Sequence, residues 1–90
     1  MMLLRASPNR ASRQTLVHFE TRDGGPVQAS VYDLAGRRVR GLSDGFLSPG
    51  VHDLLWDGRN EEGRAVAAGI HLVRVSMTEG TTTGRFVIVR

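Results

Sequence analysis

Ninety residues with a formal net charge of +3 and no cysteine describe one small domain, near the lower size limit for a self-sufficient core. The missing cysteine excludes a disulfide framework and a thiolate metal site, and it leaves the redox compartment open. All 12 basic residues are arginine, which excludes a Schiff-base lysine and a phosphate-cradling lysine.

Residues 1–14 are polar, rich in Arg and Ser, and carry Pro8-Asn9. They read as a linker or lead-in, with the domain proper over residues 15–90. The opening Met1-Met2-Leu3-Leu4-Arg5 is too short for the apolar stretch of a signal peptide, and no run reaches the length of a membrane span. A secreted or cell-surface location would therefore require a signal on a longer parent chain, and the sequence is expected to be a fragment of one.

The first predicted strand is Thr15 to Thr21, rich in β-branched and aromatic residues. Asp23-Gly24-Gly25-Pro26 is a turn, because Gly accepts positive φ and Pro cannot donate to a central ladder. Val27 to Asp33 alternates Val27, Ala29 and Val31 with Gln28, Ser30 and Tyr32, the period of a half-buried strand. Leu34-Ala35-Gly36-Arg37 makes a hairpin turn into a strand over Arg38 to Leu42. The cluster Arg37-Arg38-x-Arg40 is expected on a solvated hairpin surface, where charge discourages strand addition.

Ser43 to Gly50 carries two turn signals, Asp44-Gly45 and Pro49-Gly50, and is expected to be a loop. Phe46 and Leu47 within it are expected to cap one end of the core. Val51 to Asp57 is a strand that sends His52, Leu54 and Trp56 inward and Val51, Asp53, Leu55 and Asp57 to water. A buried Trp56 needs an acceptor for its indole N–H. Gly58 to Arg64 is a polar turn, Ala65 to Gly69 a short bridging strand, Ile70 to Thr78 a strand, Glu79-Gly80 a turn, and Thr82 to Val89 the last strand. Short strands at this spacing with turn punctuation predict a seven-stranded antiparallel sandwich, all-β in class. The predicted core is Val17, Phe19, Val27, Ala29, Val31, Val39, Leu54, Trp56, Val73, Val75 and part of Phe86 to Val89.

Chemistry-bearing patterns are sparse. His18, His52 and His71 each stand alone in a strand, without a second ligand at metal spacing. No nucleophile elbow or phosphate loop occurs. The acidic residues fall mostly in turns, unpaired for general acid–base work. Asp57 to Gly63 fails as a hand-type calcium loop, because Arg59 sits at its third position and Glu62 at its sixth; a looser cation site stays open as an alternative. Its structural reading is a turn whose Asp57 and Asn60 side chains cap their own backbone. Tyr32 is the one aromatic expected to be exposed, too little for a carbohydrate platform. The other arginines are scattered along the chain, which argues against a concentrated nucleic-acid face.

Four groups of residues carry a resemblance: Val31-Tyr32-Asp33-Leu34-Ala35-Gly36-Arg37-Arg38-Val39, Leu47-x-x-Gly50-x-His52, Trp56-Asp57-Gly58, and Gly63-x-x-Val66-x-x-Gly69-Ile70. Together they resemble the FlgD-type immunoglobulin-like domain, named after the flagellar hook-capping protein, and the C-terminal sorting domain of type IX secretion cargo. Ser7-Pro8-Asn9 is similar to the lead-in of the sorting domains, although Arg10 stands where a second Pro would be. His71 replaces an aromatic after the Gly-Ile pair, and the Lys often seen near the end of sorting domains is missing.

The resemblance implies a fibronectin-like sandwich without catalysis, cofactor or metal, in which Gly36, Trp56, Asp57, Gly58 and Gly69 are structural. It implies a C-terminal sorting or surface-attachment module of a secreted bacterial protein. Outer-membrane export machinery would then recognise the last strand, Arg85, Phe86, Val87, Ile88, Val89 and Arg90. The alternative is a structural assembly or spacer module like the hook-capping domain. Either implies protein partners, whether export machinery or neighbouring domains of the parent chain, with no nucleic acid and no membrane insertion.

Overall fold

The computed structural model describes residues 3–9 and 14–88, and within 3–9 the backbone together with the side chain of Ala6. The strands, in chain order, are β1 (Leu3–Asn9), β2 (Gln14–Thr21), β3 (Gly25–Tyr32), β4 (Arg38–Leu47), β5 (Gly50–Trp56), β6 (Gly69–Met77) and β7 (Gly80–Ile88). They form two antiparallel sheets, β1-β2-β5 and β4-β3-β6-β7.

Period-two alternation builds the space between the sheets. The three-stranded sheet contributes Val17, Phe19 and Trp56, and the four-stranded sheet contributes Val27, Ala29, Val31, Val73, Val75, Met77 and Phe86, all buried. Val39 and Leu54, both expected inside, pack against this cluster while half-buried. Along β5 the expected split holds: Trp56 is buried, whereas Val51 and Leu55 point to water.

Six of the expected strands are found, and three segments are corrected. Leu3–Asn9, expected as lead-in, pairs antiparallel with β2 in unbroken register from Leu3↔Glu20 to Asn9↔Gln14. The unpaired edge of β2 supplies the hydrogen-bonding template that its own sequence does not advertise. Ala65 to Gly69 forms no strand; only an isolated bridge joins Ala65 to Arg59, and β6 begins at Gly69.

The expected loop at Ser43 to Leu47 is instead the second half of β4. The β3–β4 ladder shifts register between Ala29 and Ser30 and again between Val31 and Tyr32. Each bulge bends the strand and increases its twist, so β4 stays paired across a Gly/Asp-rich stretch. Phe46 therefore does not cap the core. It is 74% exposed, opposite Pro26 on the outer face, while Leu47 packs inward.

The turn after β3 closes as expected. The Gly36 N–H donates to the Asp33 carbonyl (3.0 Å), and the Arg37 N–H to Asp33 Oδ1 (2.9 Å). Gly36 sits at φ 84°, in the left-handed region that a Cβ makes costly.

Candidate functional site

The most heavily bonded surface lies where β5 runs into the Asp57–Arg64 turn. The Trp56 ring enters the core, and its indole N–H donates to the carbonyl of Arg59 (2.9 Å), which supplies the acceptor a buried tryptophan needs. Asp57 Oδ1 accepts from the Arg59 N–H (3.0 Å). Asn60 Oδ1 accepts from the N–H groups of Glu62 and Arg64 (3.0 Å each). Arg59 Nη1 reaches the Gly63 carbonyl (2.9 Å), and the Val66 N–H reaches that of Gly58 (2.9 Å). Gly58, at φ 77°, makes the bend behind the tryptophan. The Asp57 and Asn60 side chains thus cap the local backbone, as in Asx turns.

Arg40 fastens this turn to β4. Its guanidinium lies 3.3 Å from Asp57 Oδ1 and 3.4 Å from Glu61 Oε1, and Nη1 also donates to the Arg59 and Asn60 carbonyls. Glu61 returns the contact by accepting from the Gly41 N–H (3.1 Å). The expectation of a solvated arginine cluster is therefore corrected at Arg40, which the bulged strand aims into the turn. Arg37 is held by Asp33 (2.9 Å), and only Arg38 of the three is without an ion pair among the described residues. Asn60→Ala would unpair two backbone N–H groups at once. It is expected to destabilise the chain by about 1–2 kcal/mol, read as a lower urea midpoint.

A groove of ≈ 650 Å³ opens beside this turn, between the Asp33–Arg37 hairpin and the start of β6. Two of its carboxylates are committed, Asp33 to Arg37 and Glu61 to Arg40, while Glu62 is exposed at its rim. His71 lines it from below and is 7% exposed. The imidazole stacks on Phe86 (ring centroids 6.1 Å apart) and tilts against Trp56 (5.8 Å), so it fills an aromatic position in the core. Among the described residues, no three His, Cys, Asp or Glu side chains gather closely enough to hold a metal ion.

The other histidines are equally placed for packing and pairing. His18 bonds Asp53 across the β2–β5 ladder (2.5 Å), and His52 tilts against Phe19 (5.7 Å) while bonding the Ser48 carbonyl (2.7 Å). Tyr32 is half-buried, with Arg74 5.0 Å above its ring, so the exposed aromatic is Phe46. Gly69, expected as structural, begins β6 at φ 139°.

The final strand divides by face. Arg85 and Val87 are exposed on β7, Phe86 is buried against Trp56 (centroids 5.7 Å apart), and Ile88 is half-buried. Val89 and Arg90 lie outside the described residues. β7 forms one edge of its sheet, with β1 of the facing sheet running beside it at Cα separations within 8 Å.

A second satisfied turn joins the opposite end. Glu79 accepts from the Arg22 N–H (2.5 Å) and the Thr21 hydroxyl (2.9 Å). The Arg22 amide is the main cause that holds its carboxyl below the ordinary glutamate value. Asp33 is likewise lowered, chiefly by the Arg37 amide. A carboxylate lowered on folding contributes stability that is present above its unfolded pKa and lost as pH falls through the folded one. Urea midpoints should therefore fall between neutral pH and about pH 3, and Glu79→Gln should flatten that acid limb.

Comparison with known proteins adds the family. The profile described as "FlgD Ig-like domain" matches residues 9–81. The basal-body rod modification protein FlgD of Salmonella typhimurium is 38% identical over 56 residues, covering 62% of this chain and 24% of that protein; its Salmonella typhi counterpart matches equally. The matched stretch thus spans about a quarter of these curated relatives. Among solved structures, FlgD from P. aeruginosa superposes with a TM-score of 0.66 at 18% identity, covering 97% of this chain and 69% of that one, which is a likeness of fold. With a profile match across most of its length, ending inside β7, the chain belongs to the FlgD Ig-like domain family.

Proposed function

We propose that this chain is a structural assembly module of a flagellar protein, an immunoglobulin-like domain whose surfaces bind protein partners within a longer parent chain. The observation that carries this reading is the family match over residues 9–81. The similarity to proteins named for basal-body rod modification adds support. The whole-protein role belongs to relatives of which the matched stretch spans only a part, so its transfer is the proposal.

These comparisons are flagellar and support assembly over the sorting reading. The geometry supports it too. Asp33 and Glu61 on the groove's rim are tied to Arg37, to Arg40 and to a backbone N–H, and the strongest bonding rigidifies a turn. Such rigidity suits a scaffold that presents fixed surfaces. We further propose that the folded unit has seven strands, begins at β1 rather than at Thr15, and acts outside the cytoplasm.

The test is removal of this segment from its chromosomal gene, followed by electron microscopy of purified basal bodies. Assembly predicts basal bodies without completed hooks. Normal flagella, with loss of a passenger protein from the cell surface, would instead establish export targeting.

A further inference from the structure

Strand register gathers arginines that the sequence scatters. Tyr32 of β3 pairs with Arg38 of β4 and with Leu72 of β6, and Leu72 pairs with Arg85 of β7. Paired residues share a face, so Arg38, Tyr32, Leu72 and Arg85 form one row across the outer surface of the four-stranded sheet. Arg74 stands one row further along β6 and lies over the Tyr32 ring. The Arg38 guanidinium lies along the strand surface over Gly41, where a Cβ would oblige that flexible side chain to shift.

Arg38, Arg74 and Arg85 are all exposed, and none has a carboxylate partner among the described residues. The other anchored arginines of this end, Arg37 and Arg40, are neutralised by Asp33, Asp57 and Glu61. On the strands of this face the pairing places one carboxylate, Asp44, beside Gln28, and it lines a small pocket together with Arg38 without forming an ion pair. An apolar pair, Ile70 and Val87, borders the basic row and is 37% and 49% exposed.

We infer that this face docks an acidic protein segment. Arg38 and Arg85 lie three strand spacings apart, about 14 Å, and successive rows are about 7 Å apart. Alternate carboxylates of an extended acidic strand lie about 7 Å apart, so two such repeats span the distance from Arg38 to Arg85, and each planar guanidinium donates two N–H groups to a carboxylate in bidentate fashion. The Ile70–Val87 pair supplies an apolar contact beside the charges, the combination that anchors interfaces. A nucleic acid fits less well: Arg74 already covers the Tyr32 ring, and the exposed Phe46 lies opposite Pro26, about 20 Å along β3 from Tyr32, so no open ring interleaves with the arginines. A membrane surface would want a broad apolar face, whereas Ser30, Gln28, Thr81 and Thr83 lie between the Ile70–Val87 pair and Phe46. The inference stands apart from the flagellar assignment, since it rests on this chain's own charges.

The experiment titrates the full chain with a fluorescein-labelled Glu-Thr repeat peptide, with a Gln-Thr repeat as neutral control. It follows both anisotropy and backbone amide shifts. Binding to the acidic peptide alone is expected, with the largest shifts at Tyr32, Leu72, Arg74 and Arg85. A variant carrying Arg38→Gln, Arg74→Gln and Arg85→Gln should bind about tenfold more weakly. A variant of equal charge change, Arg22→Gln, Arg59→Gln and Arg64→Gln, should keep its affinity within about twofold. Equal losses in both variants, shifts centred on another surface, or no binding would overturn the inference. So would tighter binding of a mixed-sequence single-stranded oligonucleotide or of phosphatidylglycerol vesicles. The shift map on the unaltered chain decides the matter even if a triple variant fails to fold.

Discussion

Replacing Trp56 with alanine is expected to destabilise the chain by about 3–5 kcal/mol. A domain of this size has roughly 5–13 kcal/mol to lose, at about 0.05–0.15 kcal/mol per residue. The substitution empties the largest fully buried side chain of the core. It removes the edge contact with Phe86 at 5.7 Å and leaves the Arg59 carbonyl without its indole donor. Because that bond also fixes the Asp57–Arg64 turn, loosening should spread to Arg40 and β4. Trp56→Phe separates the two effects: it keeps an aromatic ring and drops the donor, at an expected cost of about 1–2 kcal/mol. Urea unfolding followed by circular dichroism measures both. A loss below about 1 kcal/mol for the alanine variant would mean that the indole does not sit where the sheets meet.

The second large effect falls in the strand expected from sequence to be a recognition element. Phe86→Ala should cost about 3–4 kcal/mol, because Phe86 is 4% exposed and packs on both Trp56 and His71. Its neighbours Arg85 and Val87 face water, and their replacement by serine should change stability by no more than about 0.5 kcal/mol. Deleting residues 85–90 would therefore unfold the chain and look like lost recognition. Arg85→Ser and Val87→Ser, made in the folded protein, are the variants that isolate a surface role. If Phe86→Ala unfolds at the same urea concentration as the parent chain, β7 does not close this end of the core.

The parts of the fold legible in the sequence are those where side chains alternate. Val17 and Phe19 in β2, Val27, Ala29 and Val31 in β3, and Trp56 in β5 show period two directly, and all are buried. β1 was hidden because Arg5, Ser7 and Pro8 carry little strand propensity; its pairing comes from the open edge of β2. The far half of β4 was hidden because Asp44-Gly45 is a strong turn signal, overridden here by two bulges that keep the strand on β3. Met77 is buried at the end of β6, and Thr15 and Thr21 are buried β-branched residues whose polarity masks them as core.

The candidate surfaces were legible only in part. Capping by Asp57 and Asn60 follows from residue type and spacing within one turn. The contacts of Arg40 depend on how the β4 bulges turn its side chain, which is a tertiary fact. The basic row of Arg38, Arg74 and Arg85 depends on register across β4, β3, β6 and β7, so residues far apart in the chain look scattered until the sheet is assembled.

Two sheets close on one indole, and that closure fixes the outer surfaces that partners would meet. A nuclear Overhauser spectrum of the native chain tests it most directly. The account predicts strong cross-peaks from the Trp56 ring, on the three-stranded sheet, to the rings of His71 and Phe86 on the other. It also predicts an indole N–H protected from exchange by the Arg59 carbonyl. Absent cross-sheet peaks together with a rapidly exchanging indole N–H would contradict it.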